Sequence, residues 1–290
     1  MLNARHLMDH APPELSADLL AAVDSMQAFP MCVQSILQLT REASCAPKDL
    51  VEVINKDPVM TVKVLRVVNS VYYSLPRKIA SIDQAVVFLG FNPIKNLALG
   101  IAAVGMLPGH AVAGFDSHRY LMHSLMTAGI ARQLGHWLAD TDPHDLFIAG
   151  LLHDFGKVVV AQVMPGEYRR AAEFSVWHEL SLHQALQQMA GVDQVSLGAA
   201  LLEHWRFPQA LVDALREQHH PTPESSGLCL GVFTANYISE YKGIGFGGSS
   251  QQVPFSPFVA ARLGGTLQEI MGGIGDLEPL LQEARRFSRT

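Results

Sequence analysis

From Ala149 to Lys157 the chain reads Ala-Gly-Leu-Leu-His-Asp-Phe-Gly-Lys, an apolar run that ends in an adjacent histidine and aspartate. No other stretch restricts the possible fold as much. The residues before the pair (Leu146, Phe147, Ile148, Leu151, Leu152) have the character of a buried helix, and Gly156 is a natural place for that helix to stop. Imidazole and carboxylate are ligand types that suit Zn, Fe, Ni and Mn. Neighbouring helical residues point about 100° apart. The two can share one metal only where it sits beside the helix end and other helices complete the shell. A fold is therefore required in which helices distant in sequence converge on residues 153 and 154.

The chain supplies such helices. Leu15, Leu19, Leu20 and Val23 fall at helical spacing between Glu14 and Met26, after a loose arm that ends at Pro12-Pro13. A helix is expected from Met31 to Ala43, and another from Pro47. Asp57-Pro58 caps and starts the next, with Met60, Val64, Val67, Val68 and Val71 on one stripe. Ser81 and Gln84 fit a capping box for a helix that stops at Gly90. Asn92-Pro93 starts another. Pro108 to Gly114 is the best internal linker. A helix from Ser117 puts His123, Met126, Thr127, Ile130 and Leu134 on one buried stripe.

Asp142-Pro143 opens the helix that ends at the His-Asp pair, and Pro165-Gly166 closes a short apolar piece from Val158 to Met164. Further helices are expected at Glu167–Leu180, Ser181–Ala190, from Asp193 or Ser196, from Phe207-Pro208 to His219-His220, and at Leu228–Tyr241. Gly243 to Pro257, rich in Gly, Ser and Pro, reads as a mobile loop before a short amphipathic C-terminal part. Valines recur at helical rather than alternating spacing, so the fold class is all-α.

Bulk properties exclude some functions. The chain has 290 residues, 49% hydrophobic and 17% charged, enough for a substantial core in one domain or two lobes. A net charge of −6 disfavours a general nucleic-acid surface. Cys32, Cys45 and Cys229 form no CxxC pattern, which suits a reduced, cytoplasmic protein. Met1 to His10 has no apolar signal core. Leu97–Leu107 is read as the most lipid-like run, and its 11 residues are too few for a membrane span.

Longer motifs carry a family resemblance. They are Phe29-Pro30, the block Ile54 to Leu99, His123 to Gly135, Ala149 to Val160, Gly198 to Pro208, and Glu217 to His220. In this order and spacing they resemble the HDOD family, the HD-related output domains of bacterial signalling proteins. The resemblance covers about residues 20–222, divided into an N-terminal helical lobe (20–107) and an HD-like lobe (115–222). Residues 1–19 form the arm and the start of the first helix, and residues 223–290 a helical extension. The resemblance implies a multi-helix fold related to the HD phosphohydrolases, and a regulatory role usually without demonstrated catalysis.

It also implies a metal site. The early histidine corresponds to His123 and the pair to His153-Asp154. The late aspartate corresponds to Asn236, which lacks the charge. Of the further histidines in relatives that hydrolyse cyclic dinucleotides, one position is Gln194 and the other His219 or His220. The Gly-Tyr-Pro tripeptide of those relatives is absent. A degenerate site is therefore expected, in which His123, His153 and Asp154 could still hold Fe, Mn, Ni or Zn, or could simply hydrogen-bond one another. Lys157 is read as a helix cap or solvated group, with phosphate contact as the alternative.

Other features are weaker. His144-Asp145 is explained by a helix start, His178 and His183 read as solvated, and the Ile82–Leu99 helix pair has only Lys95 as a cation after its turn. Three functions follow: a non-catalytic regulator that binds another signalling protein, a metal-dependent phosphohydrolase acting on a nucleotide, or a nucleotide sensor using His153, Lys157 and His219.

Overall fold

The computed structural model describes residues 31–39, 46–107, 114–246 and 254–288. The expected arm, the Glu14–Met26 helix, Ala43, Cys45 and all but the last residue of the 108–114 linker lie outside the described residues. Every element described is a helix, with no strand among the described residues.

Among the described residues, the N-terminal lobe has five helices: α1 (Met31–Leu39), α2 (Pro47–Asn55), α3 (Pro58–Val68), α4 (Ile82–Leu89) and α5 (Phe91–Val104). Asp57 caps α3 by accepting the N–H groups of Val59 and Met60, both at 3.0 Å. The α3 stripe is shorter than its spacing predicts, because Val71 is 40% exposed. Asn69 explains the stop. Its Nδ2 donates to the carbonyls of Leu65 and Ile79, and its Oδ1 accepts from Ile79 N–H, each at 2.8 Å. These bonds turn the chain out of the helix and pin the far end of the following loop. At α4, Ser81 Oγ accepts the Gln84 N–H, but Gln84 Oε1 reaches back to Ala80 N–H at 2.9 Å, one residue beyond the expected box.

The second half is built around α6 (Ser117–Leu134), capped by Asp116. It is followed by α7 (Pro143–Leu152), α8 (Phe155–Val163), α9 (Pro165–His178), α10 (Leu182–Ala190), α11 (Gln194–His204), α12 (Gln209–Glu217) and α13 (Gly227–Tyr241). Three short helices close the chain: α14 (Pro257–Arg262), α15 (Leu267–Ile274) and α16 (Glu278–Ser288). Helices α7, α13 and α16 all pack on α6, while α5 lies against α7 and joins the lobes. The expected stripe of His123, Met126, Thr127, Ile130 and Leu134 is buried throughout. Tyr72 fastens three parts of the chain, with its ring 5.4 Å from Phe147 of α7 and 6.2 Å from Phe287 of α16.

One reading of the central stretch needs correction. Gly156 does not end a helix. The chain bends at His153-Asp154, and Gly156 lies in the first turn of α8, which continues to Val163. The apolar piece does end before Pro165, as its sequence predicts, and Pro165 itself starts α9. Among the described residues, the stretch long and apolar enough to span a membrane is Pro143–Val163, which includes the bend, not Leu97–Leu107. By length and composition this run could cross a membrane, but 89% of its most apolar window is buried inside the protein.

Glycines on either side of the pair set the packing. A Cβ on Gly150 would lie 2.7 Å from Ala128 Cα of α6. A Cβ on Gly156 would lie 1.8 Å from the Gln194 carbonyl oxygen of α11. Gly156→Ala is expected to lower stability by about 1–3 kcal/mol or more, because backbone must move. Gly166→Ala, where nothing lies within 4 Å, should be neutral or stabilise by up to about 1 kcal/mol. Thermal unfolding of both variants checks this, and equal melting temperatures would remove the packing role assigned to Gly156.

Candidate metal centre

Three ligand-type side chains meet where α6 passes the α7–α8 bend. His123 Nε2 and His153 Nε2 are 3.1 Å apart. Asp154 Oδ2 lies 3.5 Å from the first and 3.4 Å from the second. Each ring's other nitrogen faces a carbonyl: His123 Nδ1 is 2.7 Å from Ile244 O, and His153 Nδ1 is 2.8 Å from Gly150 O. A carbonyl can only accept, so each ring carries a proton on Nδ1. The two Nε2 atoms then face each other and the carboxylate. Burial is the main force lowering the His123 pKa, opposed by Asp154, so this ring is neutral.

The spacing fits a metal. A tetrahedral ion with ligand bonds of 2.0–2.1 Å has ligand atoms about 3.3 Å apart, close to the three separations found. Outward Nδ1–H bonds to carbonyls also fix the tautomer that a metal needs. His123, His153 and Asp154 would hold such an ion, which would supply Lewis-acid polarisation of a phosphate and an activated water.

Asp154 shows a second sign of a dedicated role. It stands at the N-cap of α8 but makes no capping bond, whereas Asp57, Asp116, Asp142 and Asp193 at other helix starts all do. Its carboxylate is turned into the cluster instead.

Lys157 neither caps a helix end nor sits in solvent, the two roles expected from sequence. Its Nζ lies 2.6 Å from Asp154 Oδ2 and 3.1 Å from Phe246 O. Burial alone would raise the Asp154 pKa; the charge of Lys157 foremost outweighs it and holds the carboxyl well below its usual range. The group is sealed: His123, His153, Asp154 and Lys157 are 1%, 4%, 3% and 6% exposed. Residues 244–246 supply the cover. Phe246 packs its ring 5.2 Å from Phe115 and 5.4 Å from Tyr120. The start of the segment read as a mobile loop is thus a fitted plug. The alternation Gly-Ile-Gly-Phe-Gly at 243–247 was the available signal, since Ile and Phe are unusual in a solvated linker.

The remaining predicted residues are dispersed. Asn236 lies on α13 with its Oδ1 buried and unpartnered. The α13 side chain that meets α6 one turn from His123 is Ser239, which receives the Thr127 hydroxyl bond at 3.2 Å. Gln194 is buried at the start of α11, with Oε1 lacking a partner. His220 is exposed. His219 stacks on His183 with ring centroids 4.8 Å apart, so His183 is not solvated as its spacing suggested. His183 Nδ1 and His219 Nε2 are both buried without partners. Sequence reasoning also missed Gln218, read only as a neighbour of the histidines. Its Nε2 donates to His153 O at 2.7 Å and clamps the bend.

An HDOD domain model matches residues 26–221, about two thirds of the chain. The chain belongs to the HDOD family. An uncharacterized protein of Treponema pallidum (strain Nichols) is 23% identical over 232 residues, covering 77% of this chain and 44% of that protein. The chain thus spans less than half the length of that curated relative. Among solved structures, a candidate phosphohydrolase from Shewanella amazonensis SB2B superposes with a TM-score of 0.71 at 24% identity, over 93% of this chain and 98% of the other. A candidate signal transduction protein from Marinobacter aquaeolei VT8 gives 0.70 at 22% identity, over 94% and 64%. At these identities the likeness establishes the HDOD fold alone.

A metal bound at this HDOD site would compete with Lys157 for one carboxylate oxygen. Lys157→Met strands a buried charge, which costs about 3–5 kcal/mol, and a bound cation would restore the balance. The variant is expected to melt lower than wild type and to gain more from added Co²⁺. Equal Co²⁺ shifts in melting temperature for the two proteins would refute the competition.

His219 makes acid stability testable. Burial, then the nearby His183, pushes its pKa down to about 3. The folded ring stays neutral while the unfolded ring takes a proton below pH 6.5, so stability falls as pH drops from about 6.5 towards 3, by about 1.4 kcal/mol per unit. His219→Phe should flatten that decline in urea titrations at pH 7 and pH 5. An unchanged slope would show that His219 titrates normally.

Proposed function

We propose that this HDOD protein is a regulatory module that works by binding another signalling protein and does not turn over a phosphoester. The observation that carries the reading is the ammonium of Lys157 on Asp154, beneath the Phe246 cover. A hydrolytic centre needs an open metal position and access for substrate and water. Here the only carboxylate of the cluster is already paired, and the cover takes the outward bonds of both His123 and Lys157. The signal-transduction description of the Marinobacter relative agrees with this role. Cys32 and Cys229 are buried free thiols, which suits the reducing cytoplasm.

One observation favours the alternative, a metal-dependent phosphohydrolase acting on a nucleotide. It is the tetrahedral spacing of His123, His153 and Asp154, with the phosphohydrolase description of the Shewanella relative beside it. An assay of the protein with Mn²⁺ or Fe²⁺, against a chromogenic phosphodiester and cyclic dinucleotides, separates the two. No turnover above that of Asp154→Ala is expected. Metal-dependent hydrolysis that disappears in Asp154→Ala would establish the enzyme and end the regulatory reading.

A further inference from the structure

A cleft of about 450 Å³ lies between the lobes, lined by Asn92, Lys95 and Asn96 of α5, Asp145 of α7, and Arg206 and Pro208 from the turn between α11 and α12. None of these residues belongs to the His123 cluster, and its volume falls within the range of small-molecule sites.

The lining mixes apolar surface with side chains of both charges. Asn96 is 1% exposed. Its Nδ2 donates to Asp145 Oδ1 at 3.2 Å. Only an amide NH₂ can face a carboxylate, so this bond fixes which way the Asn96 side chain is turned. The Asn96 Oδ1 is then left buried without a partner. A spare amide oxygen beside a carboxylate makes two neighbouring acceptors and calls for two neighbouring donors. Cations line the same cleft. Lys95 is steadied by Asn92 Oδ1 at 3.3 Å, and Arg206 follows α11. Arg206 has φ of 58°, a left-handed conformation in which glycine usually closes a helix. Keeping an arginine there carries a backbone cost that its place in the cleft would offset.

We infer that this cleft binds a guanine nucleotide, with Asp145 and Asn96 Oδ1 accepting the N–H groups of the base edge and Lys95 and Arg206 receiving the phosphate. Guanine carries two adjacent N–H donors on its Watson–Crick edge. Adenine would set a ring-nitrogen lone pair against one of the acceptor oxygens. A free amino acid has the right polarity but only one donor centre and too little bulk for the cleft. This inference does not depend on whether the His123 cluster holds a metal.

Titration calorimetry of the full chain with GMP, AMP, guanosine and xanthosine monophosphate tests it. GMP is expected to bind at least about tenfold more tightly than AMP. Asp145→Asn keeps the shape of the site but replaces an acceptor by a donor, so preference should move from GMP to xanthosine monophosphate, whose C2 carries a carbonyl. Arg206→Gly relieves the left-handed residue, so the fold should persist while GMP affinity falls towards that of guanosine. No heat with millimolar GMP, equal binding of AMP, or an unchanged preference in Asp145→Asn would overturn the assignment. So would tighter binding of a free amino acid than of GMP.

Discussion

The structure depends on a bend of two residues held between two backbone contacts. Gly150 lets α7 touch α6 at Ala128, and Gly156 lets α8 touch α11 at Gln194. Between them the helix breaks, and His153 and Asp154 turn towards His123. With a larger residue at Gly150, α6 would stand further off and His123 would be drawn away from His153 and Asp154. Gln218 holds the bend from the other side by taking the His153 carbonyl that the broken helix leaves unused. The site is therefore a consequence of close helix packing, and its geometry is as rigid as the core around it.

Charge placement follows from the same bend. Asp154 gives up the capping bond its position offers, at a cost of about 1 kcal/mol. Lys157 occupies the first turn of α8, where the helix dipole disfavours a cation. Each is out of place by local rules, and each is explained by the other. Local preferences broken in pairs mark positions chosen for the cluster rather than for the helix. Leaving either one alone would bury an uncompensated charge.

Much of the helical framework was legible because its signals are local. Asp57, Ser81, Asp142 and Asp193 cap helices where turn chemistry places them. The buried face of α6 could be read from spacing alone. What could not be read depends on contacts between distant segments. Gly156 has the signature of a helix stop, and only the approach of α11 reveals it as a packing residue. Lys157 reads as solvated because lysine usually is; its burial requires Asp154 and Phe246 together. His183 lies 36 residues from His219, and no periodicity connects the two. The Gly-rich segment after α13 shows a loop's composition but hides the fact that Ile244 and Phe246 are fitted to the site.

The cover and the cluster form one hydrogen-bonded unit. Ile244 O fixes the tautomer of His123, and Phe246 O shares the ammonium of Lys157 with Asp154. Displacing residues 244–246 would release the His123 ring and loosen the lysine in the same step, since both bonds come from one short stretch of backbone. A metal would need the opposite pair of changes: His123 still oriented, but Lys157 withdrawn from Asp154 Oδ2. The cover favours the first and opposes the second. An HDOD site built this way would give up affinity for metal in exchange for a closed, neutralised core, and the balance would rest on the reach of one lysine side chain.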